Sequence, residues 1–153
     1  MNFEHSDDRQ FFHDRLCRTG EELERYDALF DFRPAHIKRR EFVQRRPSLV
    51  AQLSAASSGR CELRLTHACR DAHVSQPLTV DHLIPLASNQ LNKRFRHLRP
   101  HRHAGRLVKV PAQSFGSNDL LNLVMACGPC NRAKWISLVE GSVFASILRV
   151  RFP

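Results

Sequence analysis

The string Cys127-Gly128-Pro129-Cys130 limits the folds open to this chain more than any other feature of it. A C-x-x-C pair with Gly and Pro between its thiols is a tight knuckle whose amides can turn two sulfurs toward one metal ion. Taken alone it could equally be a redox pair, but the residues around it lack the βαβ pattern of a thioredoxin-like unit. A metal needs a second pair, and Cys61 and Cys69 can supply it, with His67 as an alternative to Cys69. The seven residues between Cys61 and Cys69 exceed the roughly two to four of ordinary knuckles. The expected occupant is a structural zinc ion (Zn²⁺), on ligand count and spacing. The plainer alternative is two buried thiols and two idle ones. An odd total of five cysteines, without an export signal, argues for metal over a disulfide framework. Cys17 lies outside the set and reads as a small core residue.

Charge is the second constraint. The net value of +9 arises almost wholly after residue 58, where 14 basic side chains face 5 acidic ones; residues 1–58 carry 10 of each. A field of one sign gathered in one part of a chain suits a nucleic-acid surface. The alternative is a basic protein that is merely well solvated. Residues 1–8 are acidic where a signal peptide would be basic and then apolar. No stretch approaches the roughly 18 apolar residues that cross a bilayer. The expectation is therefore a cytoplasmic protein without membrane partners.

The 153 residues suit one compact core with an appended arm. Residues 1–58 read as a helical N-terminal arm. Thr19-Gly20-Glu21-Glu22 has the form of a capping box, followed by Leu23, Tyr26, Leu29 and Phe30 at helical spacing, with Pro34 closing the segment. A second, basic helix is expected over 35–46, carrying Ile37, Phe42 and Val43, and Pro47 should open a shorter one through Leu49, Val50 and Leu53. Residues 54–59 look like a hinge. Beyond it, Leu78-Thr79-Val80 and Leu83-Ile84 suit two short strands on either side of Asp81-His82, ended by Pro85. Residues 88–115 form a long basic insertion, 116–119 a turn, 120–126 an apolar run, and 131–140 a helix stopped by Gly141. Residues 141–153 are a C-terminal extension.

The chemistry-bearing residues occur in a fixed order. Val80-Asp81-His82-Leu83-Ile84-Pro85 comes first, then Asn118-Asp119-Leu120-Leu121-Asn122-Leu123, then Cys127-x-x-Cys130-Asn131-Arg132-Ala133-Lys134. Adjacent strand residues point to opposite faces, so Asp81 and His82 diverge unless the backbone bends between them. Taken one at a time, Asp81 could cap a turn, His82 could be a core histidine and Asn131 a helix N-cap. As an ordered string over about residues 59–140, the chain resembles the HNH endonuclease family. Its Asn131-Arg132-Ala133-Lys134 is similar to the HNN variant of CRISPR-effector nuclease domains and phage junction resolvases.

The resemblance implies an α+β fold: a small ββα-metal core at 59–140 stapled by zinc through Cys61, Cys69, Cys127 and Cys130, with the helical arm before it. It implies that His82 is the general base for the attacking water. Asp81 and Asn131 would hold one divalent cation, Mg²⁺ or Mn²⁺, while Asn122 holds the His82 segment in shape. A carboxylate and an amide oxygen are hard ligands suited to such ions, and an imidazole is neutral enough at physiological pH to accept a proton. The chain departs from the family in its wide first cysteine pair, with Arg64 where a partner of Cys61 often stands, and in its long insertion.

DNA is the expected partner. Lys93, Arg94, Arg96, Arg99, Arg102, Arg106 and Lys109 of the insertion, interleaved with Phe95, His97, His101 and His103, suit a segment lying along phosphates. Arg132 and Lys134 are further candidate contacts. The arm could serve a protein partner or a homodimer, or simply cover the core. Its even charge makes it a poor principal DNA surface, although Arg39, Arg40, Arg45 and Arg46 could form a local patch. The rival reading is a zinc-stabilised DNA-binding module without catalysis.

Overall fold

The structure is a computed structural model that describes residues 1–17, 20–67, 69, 77–86, 101–103, 106–108, 113–134, 138–139 and 142–153. Of 101–103 and 106–108 only the backbone is described. The fold is α+β. Helix α1 (Ser6–Leu16) has Asp7 and Asp8 in its first turn and His13 and Arg15 in its last, charges that complement the helix dipole. It buries Phe12 and Leu16, four residues apart on one face.

The segment after Thr19 differs from the expected α-helix. Leu23–Leu29 is a 3₁₀ helix with a kink at Tyr26. Its buried side chains explain the difference: Leu23, Tyr26 and Leu29 recur every third residue, the 3₁₀ period. The capping residue Thr19 lies outside the described residues.

Helix α2 (Ala35–Ala56) runs through Pro47, which was expected to open a separate helix. A proline at that position removes one hydrogen bond, to the carbonyl of Val43, and interior prolines cost about 3 kcal/mol. Val43 and Pro47 are both exposed, so water can serve the freed carbonyl. Leu49 and Leu53 beyond it are buried against the sheet and keep the helix docked.

Strand β1 (Leu78–His82) pairs antiparallel with β4 (Leu123–Cys127), with Val80 opposite Met125, Asp81 opposite Val124 and His82 opposite Leu123. One continuous strand thus replaces the two short ones expected around Asp81-His82. Leu83 and Ile84 leave the strand because Asn122 takes their backbone groups. The Asn122 carbonyl accepts from Leu83 N at 2.8 Å, and its side-chain Oδ1 accepts from Ile84 N at 2.8 Å.

Within the expected insertion, β2 (His101–His103) and β3 (Arg106–Val108) form an antiparallel pair. Lys93, Arg94, Phe95, Arg96, His97, Arg99 and Lys109 lie outside the described residues. Helix α3 (Gly128–Lys134) starts earlier than the expected 131–140 helix, directly from β4. Leu138 and Val139 are buried in the core and are not helical. Gly141 lies outside the described residues. The C-terminal extension forms α4 (Ser142–Arg151).

The sheet has two different faces. Val80 and His82 on β1, with Leu123 and Met125 on β4, face α2. Val124 and Ala126 face the larger cluster, which gathers Phe12 and Leu23 from the N-terminal third, Leu63 and Ile84 from the middle, and Phe144, Ile147 and Leu148 from α4. Phe3, Phe12, Phe30, Phe32 and Phe115 add an aromatic group to it, with ring centroids 4.9 to 6.4 Å apart. Among the described residues no helix is long and apolar enough to cross a membrane.

Gly116 is threaded between two backbones. It bridges to Phe30 on one side, and its N donates to Pro85 O at 3.2 Å on the other. A Cβ at this position would lie 2.0 Å from the Ile84 carbonyl oxygen. Over this crossing sits Lys38, fully buried, whose Nζ donates to the carbonyls of Gly116 at 2.7 Å and of Asp31.

Two expectations follow. Gly116→Ala should destabilise the fold by about 3 kcal/mol, since backbone rather than a flexible side chain blocks the methyl; urea unfolding measures it. Burial, partly offset by nearby Asp31, lowers the Lys38 ammonium from 10.5 to about 8. In the window between those values the unfolded chain binds more protons, so the contribution of Lys38 to stability rises with pH. The unfolding free energy of the wild type minus that of Lys38→Met should therefore grow on going from pH 8 toward pH 10.

Candidate functional site

The four cysteines converge. The sulfurs of Cys61, Cys69, Cys127 and Cys130 all lie within 4.8 Å of one another. Tetrahedral zinc–thiolate bonds of about 2.3 Å put sulfurs about 3.8 Å apart, so the set is close to ligating geometry and could hold a metal such as zinc. Its inner half follows from the junction of β4 and α3, which places Cys127 and Cys130 one helical turn apart. The outer half is laid against β4 by Glu62, whose N donates to Met125 O at 2.8 Å and whose Oε2 accepts from Met125 N at 2.7 Å. Arg151 of α4 secures the same spot, donating to Glu62 Oε1 at 2.7 Å.

Backbone amides face the sulfurs: Leu65 N is 3.2 Å from Cys130 Sγ and Cys127 N is 3.3 Å from Cys61 Sγ. Such donors stabilise thiolates. At Cys130, burial opposes ionisation, but hydrogen bonds from Thr66 and Leu65 outweigh it and bring the thiol down to about 7. Burial and the neighbouring sulfurs push Cys69 up, and burial raises Cys127. Four thiols crowded together resist full ionisation without a cation, and a divalent metal removes that obstacle. His67 is exposed and stands outside the cluster, so among the described residues Cys69 completes the group of four sulfurs that could hold a metal. Cys17 lies in the core periphery, apart from the cluster.

Asp81 and His82 diverge, since β1 does not bend between them. Asp81 turns toward α3, where its Oδ2 lies 3.0 Å from Lys134 Nζ. The lysine side chain is 1% exposed and that of Asp81 18%. Lys134 was expected at a phosphate; it is instead a buried partner of Asp81, its pKa lowered by burial against the pull of that carboxylate. Asn131 is half-buried, three residues before Lys134, and so on the same helical face as the side chain that meets Asp81. Arg132 is exposed.

His82 turns the other way, toward α2. Its ring centroid is 4.8 Å from that of Phe42, and its Nε2 is 2.9 Å from Asn118 Oδ1. Asn118 Nδ2 donates to the Lys38 carbonyl at 2.8 Å, which fixes the amide orientation and makes Oδ1 the acceptor. The network therefore places the hydrogen on Nε2 and leaves Nδ1 with the free lone pair. Burial lowers the His82 pKa, against the opposing effects of Asn118 and Asp81, so the neutral ring prevails. Asn122 is fully buried: besides Ile84 N, it engages Ile84 O at 3.0 Å and Ser117 O at 2.8 Å through Nδ2.

Asp81, Asn131 and Lys134 thus share one side of β1, and His82, Asn118 and Phe42 the other, with Asn122 bracing the strand end between them. Asn118 stood in the ordered string without a role of its own, and Phe42 and Lys38 were not anticipated as parts of this site. Nothing in the sequence distinguishes Asn118 from an ordinary turn residue, and the helical period of α2 carries no mark that points Phe42 at a histidine. No protein-family model, curated protein or solved structure matches the chain.

Purified protein should carry about one zinc per chain, as elemental analysis would measure. Cys69→Ser should lose most of that metal, while His67→Ala should retain it. Loss in the histidine variant instead would place His67 among the ligands.

Proposed function

We propose that the chain is a metal-dependent endonuclease of HNH type that hydrolyses phosphodiester bonds in DNA, built on a ββα core with a zinc-binding knuckle. The observation that carries this reading is the placement of Asp81 beneath α3. The 3.0 Å contact between Asp81 and Lys134 sets the helix over the carboxylate, and Asn131 lies one turn earlier on the same face. A carboxylate and a side-chain amide oxygen there would form a hard, incomplete donor set that suits Mg²⁺ or Mn²⁺. The bound ion would neutralise charge on the phosphate and on the departing oxygen.

The remaining steps belong to the chain's own side chains. His82, at the last position of β1, would accept the proton of the attacking water on Nδ1. Asn118 would hold the opposite ring nitrogen, steadying the imidazolium as it forms. Asn122 would keep Leu83 and Ile84 in place, so that the ring does not swing away. Lys134 would balance the charge of Asp81 before DNA arrives.

A second reading also has an observation in its favour. Lys134 already neutralises Asp81, and His82 is only 9% exposed, an arrangement that suits a zinc-stabilised DNA-binding module without catalysis. A supercoiled-plasmid assay in Mg²⁺, Mn²⁺ and EDTA separates the two. The nuclease reading expects metal-dependent nicking that His82→Ala slows by about a hundredfold or more, with DNA binding retained. Wild-type protein that shifts the plasmid without cutting it would favour the binding module.

A further inference from the structure

We propose that the exposed flank of α2 is the surface that grips the phosphate backbone of duplex DNA beside His82, an inference that rests on the nuclease reading. Residues 1–58 are neutral in sum, but their charges are sorted by the fold. Arg33 engages both Asp31 and Glu41, at 2.7 and 2.8 Å, and Arg9 engages Glu24 at 3.0 Å. Glu41 is the only acidic residue of α2, so this pairing leaves the helix with unopposed cations. Arg39, Arg40 and Arg45 are exposed, and among the described residues no acidic side chain pairs with them.

Their position is as telling as their charge. Arg39 and Arg45 lie three residues to either side of Phe42, one turn before and one turn after the ring that packs 4.8 Å from His82. Arg46 reaches the edge of β1, donating to Thr79 Oγ1 at 3.1 Å, two residues before Asp81. Val43, one turn from both Arg39 and Arg46, is 68% exposed, so nothing among the described residues covers that stretch of the helix. The row from Arg39 to Arg46 rises about 10 Å along the helix. That span matches about three phosphates of one strand, at about 3.4 Å of duplex axis each. Guanidinium groups present flat forks of donors that fit phosphate oxygens. A strand held along this row would run toward the edge of β1 that Arg46 reaches, close to Asp81 and His82.

The test measures binding of the full chain to a fluorescent duplex across a series of KCl concentrations. It compares Arg39→Gln/Arg45→Gln with Arg60→Gln/Arg149→Gln, which removes the same charge from exposed positions elsewhere. The α2 variant should bind at least tenfold more weakly, and its plot of log affinity against log salt should be shallower by about 2, near 0.9 for each phosphate no longer neutralised. The control should stay within about twofold of the wild type, by the same phosphate accounting. An α2 variant that matches the wild type in affinity and slope would overturn the inference and leave the nuclease reading standing. Equal losses in both variants would overturn it too, as an effect of net charge alone. A wild type without salt-dependent DNA binding would remove both readings together.

Discussion

The buried amide of Asn122 is the interaction on which the rest of this architecture depends. Its Oδ1 and Nδ2 bond both backbone groups of Ile84, and Nδ2 also donates to Ser117 O. One side chain thereby ends β1, fixes the 83–84 segment and anchors the turn that carries Asn118. An aspartate there could accept from Ile84 N but would put a negative charge against two carbonyls. A leucine would leave three buried backbone groups without partners, each costing about 1–3 kcal/mol. Gly116 and Lys38 serve the same crossing from the outside: the glycine allows the backbones to meet, and the ammonium holds the carbonyls that result.

From that crossing the strand offers two chemistries back to back. The Asp81 side is closed by α3 and carries an ion pair beside a candidate cation site. The His82 side is closed by α2 and carries a neutral ring with one nitrogen committed to a hydrogen bond. Period-two alternation of a continuous strand is enough to produce this separation. The N-terminal third is therefore more than a cover, because α2 contributes Phe42 and the Lys38 carbonyl to the histidine's surroundings.

Local patterns made much of this legible. The knuckle at 127–130 could be read from thiol spacing, while Cys61 and Cys69 were proposed as its partners against an unusually wide spacing, and the sulfurs do gather; the divergence of Asp81 and His82 followed from strand geometry. What escaped were features that arise only when distant segments meet. The burial of Lys134 needs the end of α3 to land on β1, a contact 53 residues apart in sequence. The persistence of α2 through Pro47 depends on Leu49 and Leu53 being held by the sheet, where local propensity alone would have broken the helix. Summed charge is coarse for a related reason, since a neutral total for residues 1–58 conceals which arginines are already paired.

The cysteine cluster has a consequence for how the chain reaches this state. A metal held by Cys61, Cys69, Cys127 and Cys130 closes a loop on the order of 60 residues, and by analogy with a disulfide such a cross-link removes about 4 kcal/mol of chain entropy from the unfolded ensemble. Two of its thiols are synthesised long before the other two. Until then Cys61 and Cys69 lack the other two sulfurs of the cluster, and β1 lacks the strand it pairs with. Closure of the loop and pairing of β1 with β4 both wait on residues 123–130, so these long-range contacts should form late in folding.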